Sequence, residues 1–245
     1  YNSGDTRLDA RLDLPLGQHM HLVGELQSFL QQPDYQYQNF RSNFQHWQHN
    51  FNKTALAQLK ARIILKPLRL QAGISNQTLG NWVVADSLGR PEQISKGLNV
   101  LSIYAQHELP FGAFRLQSRI RYQQISDAEI LRMPAFQWQE SLFWETAFRK
   151  SSTRIRIGID VTGCSAFQAY GYNPWSGLFF RINTASNKGL LQADAYLSAR
   201  ISRARIFIKV EHFNARFGEP EYILIPGYPL PDLALKLGLN WSFFD

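Results

Sequence analysis

The chain has 245 residues and a mass of 28.2 kDa; 44% of its residues are hydrophobic, its mean hydropathy is -0.28 and its net charge is +7. That length suits one large domain or two small ones, and no run approaches the roughly 18 to 20 apolar residues of a spanning helix, which excludes a helical membrane protein. A sequence pI of 9.6 admits nucleic acid, anionic lipid or anionic solutes as partners, but no RNP, zinc-finger or helix-turn-helix pattern is present, so nucleic acid is not expected.

The chain opens on TRLDARLDLPL, where Leu8, Ala10, Leu12 and Leu14 alternate with Arg7, Asp9, Arg11 and Asp13. Residues i, i+2 and i+4 of a strand share a face, so this is the pattern of a strand with one oily and one charged side. No apolar signal segment precedes it, and the chain reads as mature or N-terminally trimmed. The pattern recurs in AQLKARIIL (Leu59, Ala61, Ile63 and Leu65 against Gln58, Lys60 and Arg62) and in FRLQSRIRY (Phe114, Leu116, Ile120 and Tyr122 against Arg115, Gln117, Arg119 and Arg121). In TRIRIGIDV, Ile155, Ile157, Ile159 and Val161 oppose Arg154, Arg156, Gly158 and Asp160. LQADAYLSARIS repeats it. In RARIFIKVEHF, Ile206, Ile208 and Val210 oppose Arg203, Arg205, Lys209 and Glu211; in the last stretch Leu235, Leu237, Leu239, Trp241 and Phe243 oppose Lys236, Gly238, Asn240 and Ser242.

Eleven such segments are expected, near 4–15, 18–31, 53–66, 68–82, 97–109, 112–124, 136–149, 152–163, 189–201, 203–213 and 233–244. They exceed the usual 5 or 6 residues of a soluble strand and match the roughly 9 to 11 of a tilted strand crossing a bilayer. Short turns (Pro15–Gly17, Lys66–Pro67, Pro110–Gly112, Lys150–Ser152, Ser202) alternate with long loops near 32–52, 83–96, 125–135, 164–188 and 214–232. That alternation belongs to outer-membrane barrels, with short turns on the periplasmic rim. Phe111, Phe114, Phe148, Trp241, Phe243 and Phe244 cluster near strand ends, as an interfacial aromatic girdle does.

The expectation is therefore an all-β fold: a single domain over 1–245 forming an antiparallel transmembrane β-barrel of the bacterial outer-membrane type, about 12 or more strands. Eleven is odd where such barrels have even counts, so the sequence suggests either a strand before Tyr1, which is the favoured reading, or an overlooked one in GLFFRIN at 177–183.

By alternation the membrane-facing set includes Ile155, Ile157, Ile159, Ile206, Ile208, Val210, Leu235, Leu237 and Leu239. The expected lumen carries sixteen basic residues against eight acidic ones. Selectivity candidates are Arg62, Arg115, Arg119, Arg121, Arg154, Arg156, Asp160, Arg200, Arg203, Arg205, Lys209, Glu211 and Lys236, because rings of Arg or Lys bias permeation towards anions. Arg7, Arg11, Lys60, Arg69 and Arg149 complete the basic set.

ARISRARIFIKVEHFN at 199–214, IPGYPLPDLALKLGLNWSFFD at 225–245 and GIDVTGCSAFQAYGYNPWSGLFF at 158–180 resemble the outer-membrane porin family of Bacteroidota. The likeness spans about residues 136–245, and family members are usually longer. It implies an integral outer-membrane barrel, a porin, without supplying a substrate.

Three functions follow for comparison. A passive pore with a basic lumen fits the charge pattern, with outer-membrane lipid, lipopolysaccharide and small solutes, anions among them, as partners. A non-conducting barrel serving as subunit or scaffold of a larger outer-membrane complex is the alternative; the aromatic loop 33–51 is suited to binding a partner, a surface sugar or its own lumen. Enzymatic activity is not expected: no Gly-x-Ser-x-Gly or His-Glu-x-x-His motif is present, and His19 and His21 lack the carboxylate or cysteine cluster that would complete a metal site. No cofactor is expected. The one cysteine, Cys164, permits no intrachain disulfide.

Overall fold

A computed structural model of the protein describes residues 4–148, 153–217 and 223–243. Arg149, the expected turn at 150–152 and Phe244 lie outside the described residues. Eleven long strands form one antiparallel sheet in which each pairs with its neighbours in sequence. They are β1 (Thr6–Leu16), β2 (Met20–Gln31), β3 (Thr54–Leu65), β4 (Leu70–Gly80), β5 (Leu98–Phe111), β6 (Phe114–Ile125), β7 (Phe136–Ala147), β8 (Thr153–Cys164), β9 (Leu190–Ile201), β10 (Ala204–Glu211) and β11 (Ala234–Trp241). All eleven expected segments are strands of this one sheet. Among the described residues, β1 and β11 each have a strand neighbour on one side only.

A strand of 12 residues, such as β8, rises about 40 Å along its own axis and, tilted by about 45°, spans close to the roughly 25 Å apolar band of an outer-membrane barrel. Register keeps the two faces distinct. Ile157 lies opposite Leu197 and Ile159 opposite Ala195, while Ile206 and Ile208 meet Leu239 and Leu237. Leu235, Leu237 and Leu239 are 64, 71 and 64% exposed, part of a continuous apolar band of a kind that soluble proteins rarely leave in water. The expected apolar face is therefore one surface.

The long loops are not merely connections. Trp82–Ala85 and Pro91–Ile94 of one loop join Phe167–Asn173 and Leu178–Asn187 of another in a four-stranded sheet, linked by the parallel pair Phe180–Ala85. The stretch GLFFRIN is thus a strand, as suspected, but a strand of this loop sheet rather than of the wall. Two small hairpins, Asn39–Arg41 with His46–Gln48 and Ile223–Ile225 with Tyr228–Pro229, decorate the same rim.

A packed core sits beneath these loops. Leu79, Leu98 and Val100, at the long-loop ends of β4 and β5, are buried against Val84, Ile130 and Leu131 from the loops, with Leu56 and Ile125 alongside. By alternation these strand residues lie on the charged face, so the loops fold over that face and not over the apolar one. The Arg132 guanidinium, from the loop between β6 and β7, is buried. It donates to the Ala169 carbonyl at 2.8 Å and the Ile182 carbonyl at 2.6 Å, pinning its loop to both strands of the neighbouring loop hairpin.

Glycine opposite an aromatic residue recurs in the wall. At Gly158, flanked by Phe143 and Tyr196 on neighbouring strands, an added Cβ would sit 2.7 Å from the Phe143 Cβ and 2.8 Å from the Tyr196 ring. At Gly238 the ring of Phe207 lies over the backbone in the same way. The large ring covers the backbone that glycine leaves bare, which pins register across the pair. Replacing Gly158 by Val therefore lowers the midpoint of the heat-induced gel shift by the equivalent of about 1–3 kcal/mol of overpacking. Gly24→Val, where nothing lies within 4 Å of the new Cβ, leaves the midpoint within experimental scatter.

Candidate functional site

The charged face is built by alternation and organised by cross-strand ion pairs. On β2 and β3, Glu25 is met by Arg62 at 3.0 Å, Lys60 at 3.5 Å and, from β1, Arg11 at 3.7 Å. On β5 and β6, Glu108 accepts from Arg115 at 3.0 Å and Gln117 at 3.0 Å, and from Arg69 at 2.6 Å. On β7 and β8, Glu145 takes Arg156 at 2.6 Å and Arg154 at 3.8 Å, with the Arg156 guanidinium 4.3 Å above the Phe143 ring. On β9 to β11, Asp194 holds Lys209 at 2.9 Å, and Glu211 holds Lys209 at 3.2 Å and Lys236 at 2.6 Å. Asp160 accepts from the Ser141 hydroxyl at 2.6 Å.

Four of the candidate arginines are left out of this scheme. Among the described residues no carboxylate lies within ion-pair distance of Arg119, Arg121, Arg200 or Arg205. Three arginines moreover stand in one row. Arg154 is directly opposite Arg200, and Arg200 directly opposite Arg205. Like charges in directly opposed positions destabilise a sheet, so this row is an electrostatic cost that an incoming anion would relieve.

These residues surround a concave basin of about 550 Å³ on the charged face. Six cations line it, Arg119, Arg154, Arg156, Arg200, Arg205 and Lys209, against two carboxylates, Glu145 and Asp160; Tyr196 and Phe207 supply aromatic wall. Guanidinium groups offer forked donors suited to carboxylate and phosphate oxygens. What the arrangement can do is hold or pass an anion.

Of the sequence candidates, Arg119, Arg154, Arg156, Asp160, Arg200, Arg205 and Lys209 come together at the basin. Arg115, Arg121, Glu211 and Lys236 lie on the same face outside it, and Arg62 is several strands away beside Glu25. Arg203 sits in the Ser202–Arg203 turn, and Arg69 in the turn before β4 with φ 48; neither is a strand position, because two-residue and four-residue connections consume them. Sequence reasoning did not single out Ser141, Gln139 or Phe207, whose only signal is strand parity.

At the short-turn rim, Phe111 and Phe114 stack at 5.8 Å across the Gly112–Ala113 turn, Trp241 and Phe243 stack at 6.2 Å, and Phe148 is exposed. At the opposite rim the loop cap is tied together by amide contacts: Asn173 donates to Gln45 at 2.9 Å, and the Trp47 indole donates to the Gln36 carbonyl at 2.9 Å. Burial first, then the Asp34 carboxylate and Tyr170, push the Tyr37 phenol above its ordinary range. His21 approaches Asp13 at 3.4 Å, and no cluster of three or more metal-ligating side chains occurs among the described residues.

A long-stranded antiparallel wall with one apolar and one charged face, short turns at one rim and folded loops at the other defines a transmembrane β-barrel protein of outer-membrane type. The chain belongs to the family described as "Putative porin", which it matches over residues 1–245. Its wall is similar to the siderophore receptor PirA from Acinetobacter baumannii (TM-score 0.64, 12% identity, 97% of this chain and 41% of the receptor). It is also similar to the FrpB iron transporter from Neisseria meningitidis (0.64, 11%, 96% and 39%). A third likeness is to the ferric-catecholate import receptor Fiu from E. coli K12 (0.55, 15%, 84% and 30%). The chain thus spans about two fifths or less of these receptors, and at such identities the likeness is one of fold. No curated protein matches the chain.

Exchanging Arg200 for Glu places a carboxylate between two opposed guanidiniums. Opposite-charge pairs in this position contribute roughly 0.2–1 kcal/mol each, so R200E raises the midpoint of the heat-induced gel shift. A lower midpoint in a folded variant would mean that the arginine row carries no repulsive cost.

Proposed function

We propose that this chain lines a passive diffusion path for small solutes across a bacterial outer membrane, with a preference for anions. The observation that carries the reading is the row Arg154, Arg200 and Arg205, joined by Arg119 at one basin where two carboxylates face six cations. Fixed guanidinium groups lining a water-filled path raise the local concentration of anions and repel cations. The carboxylates Glu145 and Asp194 hold Arg156 and Lys209 in place, so part of the charge is structural. The remainder acts on solute.

In this reading the apolar face meets lipid, and the aromatic pairs at the short-turn rim sit at headgroup level. Basic side chains near the rims contact the phosphates of lipid and lipopolysaccharide, as guanidinium and ammonium groups do generally. No cofactor enters the function.

A second reading is favoured by the loop cap. The buried cluster of Leu79, Leu98, Val100, Val84, Ile130 and Leu131 overlies the charged face at the long-loop end, and a cap of this kind narrows or closes a path. A barrel closed in this way would serve as a subunit or scaffold of a larger outer-membrane complex, presenting its loops to other subunits.

The two readings separate in a planar bilayer. Under a salt gradient the full-length protein should give discrete openings whose reversal potential has the sign of anion preference. Replacing Arg119, Arg156 and Arg205 together by Ser should move that potential towards the value for no selectivity. Folded protein without openings would favour the scaffold; openings with selectivity unchanged in the triple variant would contradict the basin as selectivity element.

A further inference from the structure

The basin is polarised along its strands. At the short-turn end Arg154, Arg200 and Arg205 stand directly opposed across β8, β9 and β10. Six positions further along, Asp160 of β8 faces Asp194 of β9, about 20 Å from the arginine row along the strand. An anionic group is repelled at the acidic end and held at the other.

The row sets the charge and shape of what it can hold. Neighbouring strands lie about 4.8 Å apart, so the row extends only about 10 Å between its outer backbones, and three arginine side chains can converge on one group. Glu145 reaches Arg154 at 3.8 Å but is shared with Arg156 at 2.6 Å. Among the described residues no carboxylate lies within ion-pair distance of Arg200 or Arg205. Chloride or a single carboxylate offsets one of these charges. A phosphomonoester carries nearly two at neutral pH, on three acceptor oxygens, and each oxygen suits the fork of one guanidinium.

Beside the row the basin offers a surface for an organic body. One step along the strands Phe207 stands directly opposite Ser198, and one step further Tyr196 stands opposite Lys209. Phe207 is 37% exposed although its ring also covers Gly238. It lies two residues from Arg205, about 7 Å along β10, so a group seated on the row has an aromatic face next to it. The volume of about 550 Å³ is that of a site for a small organic molecule, well beyond what inorganic phosphate fills. The geometry points to a saturable site for a phosphomonoester with a ring in its body, its phosphate on Arg154, Arg200 and Arg205 and its ring against Phe207 and Tyr196. This names the solute class of the anion path proposed above and rests on that reading.

The test is calorimetric titration of the full-length protein in dodecyl maltoside at pH 8, with folding checked by heat-modifiable migration. Phenyl phosphate should bind at one site per chain, more tightly than inorganic phosphate, and about tenfold or more tighter than benzoate, which keeps the ring but carries one charge. Arg200→Gln should weaken phenyl phosphate about tenfold, the loss of one hydrogen bond between charged groups; if that variant does not fold, Arg205→Gln should do the same. Lys66→Gln, an exposed cation in the turn between β3 and β4, should leave binding unchanged. Phe207→Leu should remove the preference for phenyl phosphate over inorganic phosphate and leave the affinity for inorganic phosphate as it was. In a planar bilayer, phenyl phosphate should reduce the chloride current half-maximally near the concentration that half-saturates binding. No saturable binding by the folded protein, equal affinity for phenyl phosphate and benzoate, or unchanged affinity in the arginine variants would overturn the site. Anion-selective openings in protein that fails to bind would leave the path standing and remove only the site; saturable binding in protein without openings would keep the site and contradict the path.

Discussion

A peptide group in hydrocarbon has no water to bond, and each unpaired N–H or C=O there costs several kcal/mol. The architecture follows from that constraint. Eleven strands in strict sequential antiparallel order pair every interior strand of the wall on both sides. Sequential pairing demands tight connections at one rim, met by turns as short as Gly112–Ala113, where glycine takes φ 63. The other rim is free of that demand, and there the chain builds loops that pair with one another. Since a strand's side chains alternate, a wall with lipid on one side must then put its charges on the other.

Charges crowded on one face need their own order. Glu25, Glu108, Glu145, Asp194 and Glu211 gather cations across strand boundaries, most of them two or more, so five carboxylates hold nine basic groups. Where the carboxylates run out, at Arg119, Arg200 and Arg205, the sheet keeps repulsion that simple substitution would remove. Proteins retain such local costs at functional sites and offset them elsewhere. The glycine–aromatic pairs at Gly158 and Gly238 lie next to the basin, where Tyr196 and Phe207 both cover backbone and form its wall.

The wall was legible because period two is a local signal: TRIRIGIDV declares its faces within nine residues. The loop sheet was not, since Phe180 and Ala85 are nearly a hundred residues apart and nothing near either announces the pairing. Leu56, Leu79, Leu98 and Val100 read as ordinary strand apolar residues; only the folded loops make them a cap over the charged face. The basin was half legible. Parity puts Arg154, Arg200 and Arg205 on one side, but whether three arginines stand abreast or staggered depends on register across strands, which alternation leaves open.

The most direct test of the wall itself is residue-by-residue accessibility along β8. Single cysteines placed at 154 to 157 and 159 to 161 in the full-length Cys164→Ser protein, in native membrane, are labelled with a membrane-impermeant maleimide, and spin labels at the same sites are read for contact with lipid-soluble oxygen; position 158 is left as glycine, because Phe143 and Tyr196 cover it. Alternation is expected, with 154, 156 and 160 reached from water and 155, 157, 159 and 161 reached from lipid. Uniform labelling by the maleimide at all seven positions, or lipid contact without the two-residue period, would contradict it.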